Sequence, residues 1–162
     1  MVKPPRPPVT YPTSSPPAMN EHPNARLMRD FFDAFGVADR DRLGDLMAPD
    51  LVWHFPGDSP ISGDWRGVDG LLQGIRAIAM TLGRGHNGFE LLHIFAGNDC
   101  AVTIHRDFYT GPDNHLDLRY ALYVRIDNGR LAEVWEIPFD QAENDRYLAG
   151  QAAALARETP RA

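Results

Sequence analysis

The feature that most constrains this chain is a change of hydrophobic period near Phe89. Before it, apolar residues recur at spacings of three and four; after it, they alternate with period two. Leu27, Met28, Phe31, Phe32 and Phe35 mark a first helix, capped by Asn24 and ended at Gly36. Asp39 caps a second, short helix carrying Leu43, Leu46 and Met47, stopped by Pro49. Residues 51–55 form a compact strand broken by Pro56-Gly57, and 58–67 read as a loop. Leu71, Leu72, Ile75, Ile78, Ala79 and Leu82 share one face of a third helix, ended by Gly83 and Gly85. Strands are then predicted over 89–96, 101–109, 116–126 and 131–137, joined by hairpin-length turns rich in Gly, Asn and Asp. A last segment, Asp140 to about Arg157, has only a weak helical face. Helices followed by a run of hairpin-connected strands indicate an α+β fold. The expected architecture is a cone-shaped α+β barrel: three helices on a strongly curved, mainly antiparallel sheet around an apolar interior.

Eight of the 14 prolines fall in the first 23 residues, a stretch with few large apolar side chains and no periodic face. Such a segment cannot offset its ordering entropy, so residues 1–23 read as a disordered tail, without the apolar segment of a secretory signal. The expected organisation is one domain over 24–150, followed by a helical or disordered extension over 151–162. A net charge of −6 gives no basic field for nucleic acid or an anionic membrane, and no apolar run is long enough to span one. The lone Cys100 excludes an intrachain disulfide and a multi-cysteine zinc site, and fits a reducing cytoplasm. Six scattered histidines lack ligand spacing, so no metal is expected. The glycine-rich stretch 83–88 follows a helix rather than a strand and reads as a connection, not a phosphate cradle.

Alternation within strands sorts the candidates for chemistry. In 116–126 every even residue is apolar or aromatic, which sends Leu118 and Tyr120 inward; Tyr120 supplies the only hydroxyl on that face. In the preceding strand Thr103, His105 and Asp107 share a face opposite Val102, Ile104 and Phe108. Polarity alone sends the first set to solvent; alternatively, His105 and Asp107 pair in a cavity, the carboxylate orienting the imidazole. His54, between Trp53 and Phe55, stands either at the cavity mouth or in the core. Glu136, between Trp135 and Ile137, either faces solvent or is a carboxyl in apolar surroundings with a raised pKa, fit for a general acid.

The folded part resembles the nuclear transport factor 2-like superfamily, in its SnoaL-like and ketosteroid-isomerase-like branch. The resemblance rests on the helix Leu27–Phe35, on Leu46-Met47-Ala48-Pro49-Asp50-Leu51-Val52-Trp53, on Pro56-Gly57-Asp58 through Trp65-Arg66-Gly67, and on Asp127-Asn128-Gly129 through Trp135. It implies a pocket-facing His54, at the position of the isomerase general base, and pocket-facing His105 and Tyr120 by comparison with limonene-epoxide-hydrolase-like members. Two departures matter. Phe31 stands where the isomerase keeps its oxyanion tyrosine, and the hydrolase's Asp–Arg–Asp set corresponds to His105, Thr103 and about Ile137, with Glu136 one residue away.

The resemblance therefore implies a cofactor-independent cyclase or isomerase acting on a hydrophobic, oxygenated small molecule, such as a polyketide or meroterpenoid. His54 or His105 is the expected base, Tyr120 or protonated Glu136 the acid, and Asp107 the group that orients His105. Phe31, Phe35, Trp53, Trp65, Ile75, Leu118 and Trp135 are expected to shape the pocket. The alternatives are an epoxide hydrolase and a non-catalytic ligand-binding or dimerisation module. A homodimer through the outer sheet face is also implied.

Overall fold

Pro23 sets where the first helix begins. Its fixed φ suits the first turn, and His22 caps the helix by accepting the Asn24 N–H at Nδ1, 3.2 Å. Asn24, expected as the cap, instead donates its side-chain amide to the carbonyls of Gly97 (2.7 Å) and Asn98 (3.1 Å), tying the helix start to a distant turn.

The computed structural model describes residues 21–82, 86–110 and 115–158. The proline-rich tail up to residue 20, the Gly83 and Gly85 stop and the turn at 111–114 lie outside the described residues. The elements are α1 (Pro23–Gly36), α2 (Arg40–Leu46), β1 (Met47–Phe55), β2 (Gly63–Arg66), α3 (Gly67–Leu82), β3 (His86–Ala96), β4 (Cys100–Thr110), β5 (His115–Asp127), β6 (Arg130–Pro138) and α4 (Gln141–Glu158). Asp39 caps α2 by accepting the Arg42 N–H, 3.1 Å. Met47 and Pro49, assigned from sequence to the helix and its stop, belong to β1. Pro49 is tolerated there because the pairing shifts register between Met47 and Val52. Residues 63–66, expected as loop, form β2 antiparallel to β1. α4 runs past residue 150 without a break.

The strands form one sheet in the order β2-β1-β6-β5-β4-β3. Among the described strands, only the β1–β6 pair is parallel. Register shifts at Leu91/His93 and Arg125/Ile126 bend the strands, and four helices pack on the sheet to give an α+β fold. α1 lies on β3 and β4, α3 on β1 and β2, and α4 against α3, β5 and β6. The main core joins Met28 and Phe31 of α1 to Leu51, Trp53, Leu122 and Val134 of the sheet. Each such side chain contributes about 1.5–3 kcal/mol on full burial, so a one-residue slip that turned them outward is strongly disfavoured. Every even residue of β5 from Leu116 to Ile126 is buried. That inner face is what positions the site.

Candidate active site

β4 carries the polar side chains of the interior. Its register with β5 sets His105 opposite Tyr120 and Asp107 opposite Leu118, so the odd residues of β4 share the buried face of β5. Thr103, His105, Asp107 and Tyr109 therefore point inward, while Ile104, Arg106 and Phe108 point out. β6 adds Glu136 opposite Leu122 on the same face. With Trp53, Phe35, Phe89 and Ile75, the side chains of His105, Asp107, Tyr109 and Glu136 line a cavity of about 320 Å³. The exposed members of its lining, Gly36, Ala79 and Phe89, mark its mouth. A second lobe of about 40 Å³ shares Asp107, Tyr109 and Glu136 with the first and adds Tyr120 and Asn144.

His105 is packed between rings: its imidazole stacks on Tyr120 (5.2 Å, 8°) and lies 5.2 Å from Phe89. Burial depresses its pKa to about 4, so it is neutral across the physiological range. Its Nε2 is 3.9 Å from Asp107 Oδ2, too far for a hydrogen bond, and its Nδ1 has no partner among the described residues. The orienting contact expected from the His-x-Asp spacing is thus not made directly.

Asp107 accepts from the Tyr109 hydroxyl at 3.4 Å, and burial pushes its pKa up to about 7. Glu136 accepts the Trp53 indole N–H at 3.1 Å. Burial, helped by the charge of Asp107, pushes its carboxyl up to about 8 against the opposing effect of that hydrogen bond. Two carboxyls that both resist ionisation and repel each other titrate as a pair, which near neutral pH holds a proton on one member. Burial also raises both tyrosine pKa values well above the ordinary phenol range. Tyr120 is committed elsewhere: its hydroxyl donates to Asn144 Oδ1 at 2.8 Å.

His54 requires correction. β1 alternates Trp53 inward and His54 outward, so the imidazole sits on the outer sheet face, stacked on Trp135 (5.1 Å). There it bridges Asp64 through Nδ1 (2.7 Å) and Glu133 through Nε2 (3.0 Å), which hold its pKa above the ordinary histidine value. It does not reach the cavity, and neither does Trp135. Phe31 lies behind the lining, fully buried and 5.7 Å from Trp53. Leu118 packs in a separate cluster with Leu116 and Tyr120. Trp65 braces Phe55 edge-on and donates its indole N–H to the Ile61 carbonyl at 3.0 Å. Phe35, Trp53 and Ile75 do line the cavity.

Sequence reasoning passed over Tyr109, Phe55, Phe89 and Asn144. Parity would have found Tyr109, two residues beyond Asp107. Nothing local marks Asn144, whose buried place depends on how α4 docks. Among the described residues no group of three or more His, Cys, Asp or Glu side chains could hold a metal ion. No described helix is long and apolar enough to cross a membrane.

The model of the SnoaL-like domain family matches residues 28–134. The uncharacterized protein Rv0034 of Mycobacterium tuberculosis is 26% identical over 132 residues, covering 81% of this chain and all of its own. Among solved structures, Bal32a from a soil-derived mobile gene cassette is 26% identical with a TM-score of 0.70, covering 78% of this chain and 96% of its own. An epoxide hydrolase of the LEH-like type from M. tuberculosis shares the fold at 18% identity and a TM-score of 0.55, covering 85% and 97%.

Proposed function

Because the chain belongs to the SnoaL-like domain family, we propose that it is a cofactor-independent acid/base catalyst, a cyclase or isomerase. Its substrate is a hydrophobic, oxygenated small molecule of the polyketide or meroterpenoid kind. One observation carries this reading: Asp107 and Glu136 enter the same aromatic cavity with raised pKa values of about 7 and about 8. Asp107, the more acidic, removes a proton from a substrate hydroxyl or an activated C–H. Glu136, protonated, donates to the developing oxyanion or to an epoxide oxygen. His105 stays neutral and orients substrate through a hydrogen bond, because a base so desolvated is too weak for proton removal. Phe35, Trp53 and Ile75 fold the substrate into a reactive conformer.

A hydrolytic reading is second, favoured by the 40 Å³ lobe, whose size and polar lining of Asp107, Tyr120, Glu136 and Asn144 suit a water. The test is turnover of hydrophobic hydroxy-epoxides followed by mass spectrometry. A cyclic ether of unchanged mass supports the cyclase; a diol, heavier by one water, supports the hydrolase. Binding without turnover leaves a ligand-binding module.

The proposed partner is a second copy of the chain. Phe95, Tyr123 and Ile137 are exposed on the outer sheet face, an apolar surface suited to self-association. Sizing chromatography over a range of concentrations should show a dimer; a monomer throughout overturns that part of the reading.

A further inference from the structure

Among the described residues, the groups of the cavity lining that gain charge near neutral pH gain negative charge. Asp107 and Glu136 are carboxyls. His105, 4% exposed, is neutral there. Among the described residues, no lysine or arginine is in the lining. Among the described residues, the donors to the carboxyls are the Tyr109 hydroxyl and the Trp53 indole N–H, both neutral. The remaining walls are aromatic faces: Phe32, Phe35, Trp53, Phe55 and Phe89. Aromatic faces attract cations through the ring quadrupole, and buried carboxylates without a counter-ion attract them through charge. The same features repel an anion and leave a neutral ligand with no electrostatic reward.

We propose that this cavity is selective for positive charge: it takes a hydrophobic ammonium ion in preference to a neutral isostere and rejects a carboxylate. The inference deepens the acid/base reading and rests on the same pair of carboxyls, since a cavity of this kind favours a reaction whose transition state gains cationic character, as acid-assisted epoxide opening does. It predicts ring closure at the more substituted epoxide carbon, where that charge is best carried. Binding of an ammonium releases the proton that the pair holds, so the preference rises with pH. The titratable groups facing the pair are His105 and Tyr109 of β4 and Tyr120 of β5; Glu143 and Tyr147 of α4 act on Tyr120 behind it, and α1 and α3 present only apolar lining. Among the groups that line the cavity, with both tyrosine hydroxyls of the sheet raised and His105 depressed, the carboxyl pair is what changes charge between pH 5.5 and 8.

The experiment is calorimetric titration of the full chain with 2-naphthylmethylamine, 2-naphthylmethanol and 2-naphthoate at both pH values. At pH 8 the amine should bind about tenfold more tightly than the alcohol, and the naphthoate about tenfold more weakly. At pH 5.5 the preference for the amine should shrink to about twofold, because protonated carboxyls no longer attract it. Asp107→Asn and Glu136→Gln should each reduce the preference at pH 8 while leaving alcohol affinity within about twofold. The wild-type ratios decide the question even if a variant fails to fold. An amine no tighter than the alcohol at pH 8, or an equal preference in the doubly substituted chain, overturns the inference; the latter would assign binding to the acidic exterior. Turnover of hydroxy-epoxides without charge preference sinks this inference alone. Charge preference without turnover sinks the catalytic reading alone.

Discussion

Asp107 and Glu136 differ from the other acidic side chains of this protein in what surrounds them. Each has one neutral hydrogen-bond donor and no cationic partner among the described residues, and burial holds each proton to about pH 7 or 8. Replacing either by its amide should lower kcat by about 10²- to 10⁴-fold, the usual worth of a general acid or base, with a smaller effect on KM. Steady-state kinetics on a responsive hydroxy-epoxide checks this; equal losses in binding and turnover would indicate a merely binding role. Trp53→Phe removes the N–H that stabilises ionised Glu136. The alkaline limb of the pH–rate profile should then move upward, a shift that a purely structural role would not produce. These residues were only partly legible in the sequence. The even positions of β5 announced their own face. In β4 the polar set Thr103, His105 and Asp107 faces inward, opposite to what polarity suggests; the His-x-Asp spacing left an inward pair open, and the family resemblance favoured it at His105.

At the scale of elements, β6 shows why alternation can mislead. Trp135 and Ile137 are larger and more apolar than their neighbour Glu136, yet they face out while the carboxyl faces in. Both faces of the sheet are apolar here, so hydrophobicity could not choose between them. His54 illustrates the same ambiguity on β1: its aromatic neighbours Trp53 and Phe55 turn inward, and strand geometry sends the imidazole to the other side. Outside, it ties β1 to the edge strand β2 through Asp64 and to β6 through Glu133. Since folding raises its pKa, the stabilisation is fully present below the unfolded value of about 6.5 and fades as pH rises through the folded one. His54→Gln should therefore lower the melting temperature more at pH 6 than at pH 9, and leave ligand binding in the cavity unchanged. A loss of cavity binding would contradict the outward placement.

The whole molecule pays for its cavity in stability. Asp107 and Glu136 have folded pKa values above their unfolded ones, so these two groups bind more protons in the native state than in the unfolded chain between about pH 4 and 8. Their contribution to stability falls as pH rises through that window, the reverse of the usual carboxylate case, while His105, depressed to about 4, contributes with the opposite sign between about pH 4 and 6.5. Glu136→Gln should raise unfolding stability at pH 8 by an amount on the order of 2 kcal/mol, and by little at pH 4, where the wild-type carboxyl is already neutral. Chemical denaturation at the two pH values measures it; a variant destabilised equally at both would show that the charge is not the cause. By itself the sequence determined the order of helices and strands apart from β2, the α+β class and the inner face of β5, because hydrophobic period and turn chemistry are local properties. Tertiary structure alone decided that His54 and Trp135 lie outside, that Glu136 lies inside and that Asn144 meets Tyr120. Those outcomes depend on which of two apolar faces the helices cover and on how α4 docks, and neither is written in the neighbourhood of any one residue.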